Sequence, residues 1–288
     1  MPRILRRVMK QVVYSLPDEF FARVIFFRRL GYIPHLRRPR SFNEKLQWLK
    51  LRDRSPFRAM AADRIKVRDY VAQHAPEFRL IRQLWVGDDL TEAIWQSLPG
   101  SFVLKATHGS GFVFVCYDKH NEDFEMVRRK ALGWLATDYA RLFREWPYAH
   151  LARFLVAEEL LRDTNSEVPP DFKFFCLNGR VTFVQVDLDR LEHHTRNLFA
   201  RDFSKLDVTY VYAHGADIYR PARFADAVAV AERLAAPFDF IRVDLYLLDE
   251  AIYFGEMTCF PEAGFGRFTP RSFDFELGQE LKLAPSTR

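Results

Sequence analysis

Phe240-Ile-Arg-Val-Asp-Leu-Tyr-Leu-Leu-Asp-Glu-Ala-Ile-Tyr-Phe-Gly-Glu-Met-Thr258 is the stretch on which the fold turns. Two apolar runs, Phe240 to Leu248 and Ile252 to Thr258, flank a tight Asp249-Glu250 turn, which predicts an antiparallel hairpin. Side chains alternate across a strand, so Arg242 and Asp244 share one face while Val243 packs behind them. Glu256 and Thr258 alternate likewise on the second strand, and the hairpin sets Asp244 near Glu256. Two carboxylates facing each other between apolar strands repel and lose hydration. A bound Mg²⁺ that also holds phosphate oxygens removes that penalty, and a salt bridge to Arg242 is the alternative.

Outward from this hairpin the chain repeats the theme. Asp171 to Leu177, Asn178-Gly179 and Arg180 to Asp187 predict a second hairpin, with Asn-Gly suited to its turn and Asp171 and Lys173 on one face. Ser101 to Lys105 reads as a strand, His108-Gly109-Ser110-Gly111 as a turn, and Phe112 to Tyr117 as the returning strand. A lysine ending an apolar strand beside a glycine-rich tip pairs a point cation with exposed backbone N–H groups, which is how a triphosphate is neutralised and covered. An edge lysine on an ordinary hairpin is the plainer reading. Further strands are expected at 80–86, 154–161 and 196–200. Helices are expected at 59–74, 88–98, 123–142 and 221–236, with another capped by Ser41 and completed by Glu44 as a capping box. In the polar segment Arg190 to Asn197, His193 and His194 read as loop residues and Arg196 as a fork toward phosphate or carboxylate. Strands, hairpins and helices mixed in this way predict α+β lobes, not a pure dinucleotide-binding domain.

The chain has 288 residues, 49% hydrophobic and 28% charged, enough for a large core, and its 28 phenylalanines predict an aromatic one. Residues 1–40 hold ten Arg or Lys against Asp18 and Glu19, a local charge of +8 where the whole chain carries +5. The basic character therefore belongs to an N-terminal arm, which disfavours a nucleic-acid-binding body. Within the arm, 3–15 and 19–30 predict amphipathic helices with faces Ile4, Val8, Val12 and Phe20, Val24, Phe27. These faces either pack onto the body or let residues 1–30 touch an anionic membrane surface. Cys116, Cys176 and Cys259 sit apart in apolar runs and read as free thiols of a reducing compartment. No run of 18 apolar residues is present, and Pro17, Asp18 and Glu19 break the early apolar stretch, so a cytoplasmic protein is expected, with the inner face of the membrane as the alternative site. The common phosphate loops, the Gly-x-Ser-x-Gly elbow and the His-Glu-x-x-His zinc helix are missing.

Taken together, Ser41-Phe-Asn-Glu-Lys-Leu-Gln-Trp-Leu-Lys50, Phe102 to Gly111, Arg144-Glu-Trp-Pro-Tyr148, Asp171 to Gly179 and the 240–258 hairpin resemble, in order, the signatures of the TupA-like branch of the ATP-grasp superfamily. The resemblance implies an ATP-grasp fold, two α+β lobes clasping ATP, with a basic helical extension. It divides the chain into an arm (1–40), an N-terminal α/β region (41–100), a small lobe with the Gly-rich loop (101–155) and a large lobe with the metal site (156–288). It implies one or two Mg²⁺ on Asp244 and Glu256, with Thr258 offering an oxygen where the superfamily commonly has Asn. It makes Lys105 and Lys173 phosphate lysines, His108 to Gly111 the covering loop, and Arg196 or Arg242 the arginine on the transferring phosphate. Glu158, Glu159 and Leu160 fall on the hinge strand near adenine, and which glutamate points inward stays open. After Gly111, Phe112 stands where a polar loop residue is expected, and Glu262 where relatives tend to have a small one. The implied reaction joins a carboxylate to an amine through an acyl phosphate, on an amino acid and a sugar or surface-polysaccharide precursor. A kinase on the same nucleotide site, or a non-catalytic membrane-associated scaffold, is the alternative.

Overall fold

The computed structural model describes residues 14–188 and 193–284. The first predicted helix, 3–15, falls almost wholly outside these residues, as does part of the polar segment 190–197. Two antiparallel-rich sheets organise the rest. The larger has six strands: β1 (Arg79–Leu80), β6 (Asp171–Leu177), β7 (Arg180–Leu188), β8 (Thr195–Ala200), β10 (Phe240–Leu247) and β11 (Ile252–Thr258), in the order β1-β11-β10-β6-β7-β8. The smaller has four: β2 (Gln83–Gly87), β3 (Phe102–Ala106), β4 (Val113–Cys116) and β5 (Leu155–Glu159), in the order β2-β5-β3-β4. A two-stranded ribbon pairs β9 (Thr209–Tyr210) with β12 (Phe268–Thr269).

Both decisive hairpins form. Asp244 lies opposite Glu256 across β10 and β11, and a bulge follows it, beside Gly255. Asn178 and Gly179 both take positive φ (50° and 77°), the geometry that matches a two-residue turn to the twist of its strands. The predicted strand 80–86 is in fact two. β1 runs parallel to β11 in the large sheet, Ile81 is buried at the crossing, and β2 pairs with β5 in the small sheet. Two predicted helices also divide. The span 59–74 becomes α3 (Pro56–Ala62) and α4 (Lys66–His74), because Asp63 Oδ1 accepts the amides of Ile65 and Lys66 and restarts the helix. The span 123–142 becomes α6 (Phe124–Leu135) and α7 (Tyr139–Phe143), where Asp138 caps the second piece through the Arg141 amide at 3.0 Å. Side chains that compete for backbone donors end helices this way. The predicted 88–98 helix is α5 (Glu92–Ser97), and 221–236 is α8 (Phe224–Ala235).

The large core is aromatic, as the phenylalanine count implies. Phe42, Phe175, Phe183, Phe240 and Phe268 are fully or almost fully buried and contact one another at ring-centroid distances from 4.2 to 6.4 Å. The three cysteines are buried and free. The arm helix α1 (Asp18–Leu30) packs on the body through Phe21, Ala22, Phe26 and Leu30. The predicted face is turned: Phe20 and Phe27 are exposed, because the deeper row one residue away fills the space beside Tyr32 and Phe265. Among the described residues no helix is long and apolar enough to cross a membrane.

Helix α2 (Phe42–Arg52) carries the predicted capping box, Ser41 and Glu44 each accepting the other's backbone amide. It crosses α9 (Ser272–Glu280) at Gly278, where an added Cβ would stand 2.0 Å from Arg40 O. Backbone cannot yield as a flexible side chain does. Gly278→Ala is therefore expected to force α2 and α9 apart and destabilise the fold by about 1–3 kcal/mol, the usual penalty for overpacking; a lowered urea midpoint at unchanged slope checks this.

Candidate active site

One face of the six-stranded sheet carries a row of charge that its apolar reverse face does not. Registry alone sets the row: Glu256 faces Asp244, Asp244 faces Lys173, Lys173 faces Gln185, and Asp187 faces Arg196. This row lines a cleft of about 2130 Å³ whose other wall is the four-stranded sheet, represented by Val103, Lys105 and Glu158.

At the centre Arg242 Nη2 lies 2.7 Å from Asp244 Oδ2, 3.0 Å from Glu256 Oε1 and 2.9 Å from Thr258 Oγ1. Its Nε donates to Asp244 Oδ1 at 2.7 Å. Lys173 Nζ binds Asp171 and reaches Asp244 Oδ2 at 3.0 Å. Arg64, from the turn between α3 and α4, reaches Glu256 Oε2 at 3.0 Å and donates to Ala106 O at 3.3 Å. Three cations and three carboxylates thus neutralise one another in place. Burial works to raise the Glu256 carboxyl, and Arg64 and Arg242 outweigh it, holding the group well below the usual carboxylate range. Burial works to lower Arg242 as well, and Asp244 outweighs it, keeping the guanidinium charged.

The three oxygens of Asp244, Glu256 and Thr258 converge on one cationic nitrogen. Hard oxygen donors converging on positive charge fit Mg²⁺, which takes one or two carboxylates and fills its remaining positions from water and phosphate. Among the described residues no three His, Cys, Asp or Glu side chains gather to hold a metal by themselves. The salt-bridge alternative for Arg242 is present: its Nη2 occupies the point on which the three oxygens converge.

Across the cleft, Lys105 Nζ pairs with Glu158 Oε2 at 2.6 Å, so Glu158 is the glutamate of the pair that meets the lysine, while Glu159 is exposed and borders the cleft beside Leu160. Ser110 and Gly111 reach the cleft. His108 does not line it: the side chain is buried, Nε2 lies 3.0 Å from Trp134 O and so carries the proton, and burial pushes the imidazole down. Gly109 admits no side chain, because a Cβ would meet Phe112 at 2.7 Å and Tyr139 at 2.8 Å. Phe112, unexpected in a loop, stacks on Trp134 and edges onto Tyr139, anchoring the loop base where a polar residue would not. Arg196 lies two strands from Lys173, held by Asp187 at 2.6 Å and Glu262 at 3.4 Å. His194, two residues before it, lies 3.3 Å from the same Asp187.

Arg64 was not legible as a site residue, since it lies on a short turn with no motif of its own. The role of α2 was also hidden. Asn43, Gln47 and Lys50, one helical stripe, donate to the carbonyls of Gly266, Gly264 and Ala263 at 2.8 Å each. That loop holds Glu262 and Ala263 at φ 51° and 53°, a left-handed conformation that costs non-glycine residues energy and persists only where neighbours impose it. Glu262 is thereby presented to the cleft.

Two sheets closing on a charged cleft, one wall giving a lysine and a Gly-rich loop and the other a carboxylate pair, define an α+β fold of the ATP-grasp kind. The family model "TupA-like ATPgrasp" matches residues 44–282, and the chain belongs to that family. Among solved structures it is similar to an L-amino acid ligase from Bacillus licheniformis (16% identity, 96% of this chain and 58% of that one, TM-score 0.46). It is also similar to a D-alanine–D-alanine ligase from Bacillus anthracis complexed with ATP (14% identity, 69% and 55%, TM-score 0.40) and to the ATP-grasp ligase PsnB complexed with a precursor variant, Mg and ADP (12% identity, 71% and 52%, TM-score 0.40). The chain spans little more than half the length of these proteins. No curated protein matches it.

Gln47→Ala removes the donor to the buried Gly264 carbonyl. A loss of about 1–3 kcal/mol is expected from the unpaired group, measured as a lower urea midpoint.

Proposed function

We propose that the chain is an ATP-dependent carboxylate–amine ligase. The observation that carries this reading is the balanced charge cluster between the sheets. Every cation near the cleft's centre already has a carboxylate partner, so an incoming polyphosphate exchanges with those carboxylates at Lys105, Lys173, Arg64 and Arg242. The carboxylates it releases, Asp244 and Glu256, would hold Mg²⁺ with Thr258. Bound there, the ion supplies charge neutralisation for phosphoryl transfer.

The steps then follow from positioning and charge. A substrate carboxylate oxygen attacks the γ-phosphorus of ATP, the bond to the β–γ bridging oxygen breaks, and ADP leaves. Lys105, Lys173 and Arg242 stabilise the equatorial oxygens as that charge shifts. An amine then attacks the acyl carbon, loses a proton, and inorganic phosphate departs with the former carboxylate oxygen. Ser110 and Gly111 close the cleft mouth against water. No side chain of the protein becomes covalently bound. The family resemblance supports an amino acid as one substrate and a sugar or surface-polysaccharide precursor as the other.

Calorimetric titration of ATP with and without Mg²⁺ tests the site. Binding that needs Mg²⁺ and is lost in Asp244→Asn/Glu256→Gln is the expected result, and no binding to folded wild type contradicts the reading. Lys105→Ala is expected to weaken ATP binding tenfold or more, about 1.4 kcal/mol; unchanged affinity removes Lys105 from the site. Free phosphate released in step with ADP separates a ligase from a kinase, which leaves phosphate on the acceptor.

A further inference from the structure

The cleft is larger than one nucleotide needs. Its volume of about 2130 Å³ is roughly twice the upper end of the ~300–1,000 Å³ range for pockets that hold one small ligand. Its charge is also unevenly compensated. At the centre each cation has a carboxylate partner, as described above. Arg196, two strand spacings and so about 10 Å from Lys173, begins a different region.

Arg196 meets Glu262 of the braced loop, Phe26 of α1 packs 6.4 Å from Phe265 in that loop, and Leu30 of α1 lines a small cavity with Arg267. Arg267 and a stripe of α1, Phe21, Ile25, Arg28 and Arg29, line the cleft as well. Spacings of four, three and four residues place these on one side of a helix, while Ala22, Phe26 and Leu30 anchor it. Arg144, from the motif Arg144 to Tyr148, fastens the entry to α1. Its Nη2 donates to Tyr14 O at 2.6 Å and Leu16 O at 3.2 Å, and its Nε stands 3.3 Å from Asp18. The helix is thus a built wall of the cleft. Among the described residues the side chains of Arg28, Arg29 and Arg267 have no hydrogen-bonding or ion-pairing partner, although all three border the cleft. Guanidinium forks left unpaired beside a cavity match carboxylate or phosphate in shape as well as charge.

We propose that this end of the cleft, walled by Arg28, Arg29 and Arg267, binds the second substrate through carboxylate or phosphate groups, so that the enzyme selects an anionic acceptor over a neutral one. The proposal deepens the ligase reading and rests on it for the word substrate; the anion site itself stands on the arginines. Their exposure makes Arg28→Gln/Arg29→Gln and Arg267→Gln compatible with folding.

The test is calorimetry in saturating AMP-PNP and Mg²⁺ with three probes: trigalacturonate for carboxylates, UDP-glucose for phosphates and maltotriose as the neutral control. At least one anionic probe is expected to bind wild type, with a Kd at least tenfold weaker in the double variant and weakened also in Arg267→Gln. AMP-PNP affinity is expected to stay within twofold. The probe that binds distinguishes carboxylate from phosphate. Failure of both anionic probes, equal binding of maltotriose, or an unchanged Kd in the variants overturns the proposal. Wild type that binds trigalacturonate but not AMP-PNP keeps the anion site and removes the ligase reading; the reverse keeps the ligase reading and removes the anion site.

Discussion

The Arg242 guanidinium holds the centre of this molecule together. One nitrogen meets the oxygens of Asp244, Glu256 and Thr258, and those three residues tie β10 to β11 on the face that the cleft exposes. Without that cation, two facing carboxylates would lose the one group that both of them share, leaving Asp244 to Lys173 and Glu256 to Arg64 alone. The constraint spreads outward. Lys173 balances Asp171 and Asp244, and Arg64 balances the far oxygen of Glu256. A cleft built to receive a polyanion and a metal must remain folded without either, and mutual neutralisation allows that.

The same constraint explains why so much of the N-terminal half is devoted to bracing. Glu262 reaches the cleft from a loop in left-handed conformation, which Gly264 adopts freely but Glu262 and Ala263 do not. The stripe Asn43, Gln47 and Lys50 supplies the missing stabilisation by pairing its carbonyls from one rigid helix. The capping box at Ser41 fixes where that helix begins, and so where the stripe points. Lys50 is fully enclosed against Phe265, and burial lowers its ammonium to about 8. A lysine placed there serves the loop, since solvent cannot reach it.

The small sheet shows a complementary economy. Phe112 and Gly109 are both explained by packing: the ring fills the space between Trp134 and Tyr139, and only a hydrogen fits beside it. The Gly-rich loop is therefore packed at His108 and Gly109 and opens to the cleft at Ser110 and Gly111. Arg144 performs the equivalent task for α1, pinning the start of a helix that Phe21, Phe26 and Leu30 already anchor to the body.

The sequence by itself determined both hairpins, the facing of Asp244 and Glu256, the alternation that puts Arg242 with Asp244 and Asp171 with Lys173 on one face of their strands, and the cap of α2. These depend on period-two alternation and on turn and cap chemistry, which act over a few residues. Tertiary structure alone decided which glutamate of the 158–159 pair meets Lys105, that residues 79–87 serve two sheets, that α1 turns Phe21 inward and Phe20 outward, and that Arg64 joins the cluster. Each of these follows from a neighbour distant in the chain. Asp138 and Asp63, whose helix-breaking caps compete with apolar periodicity on nearly equal terms, mark the boundary between the two kinds of information.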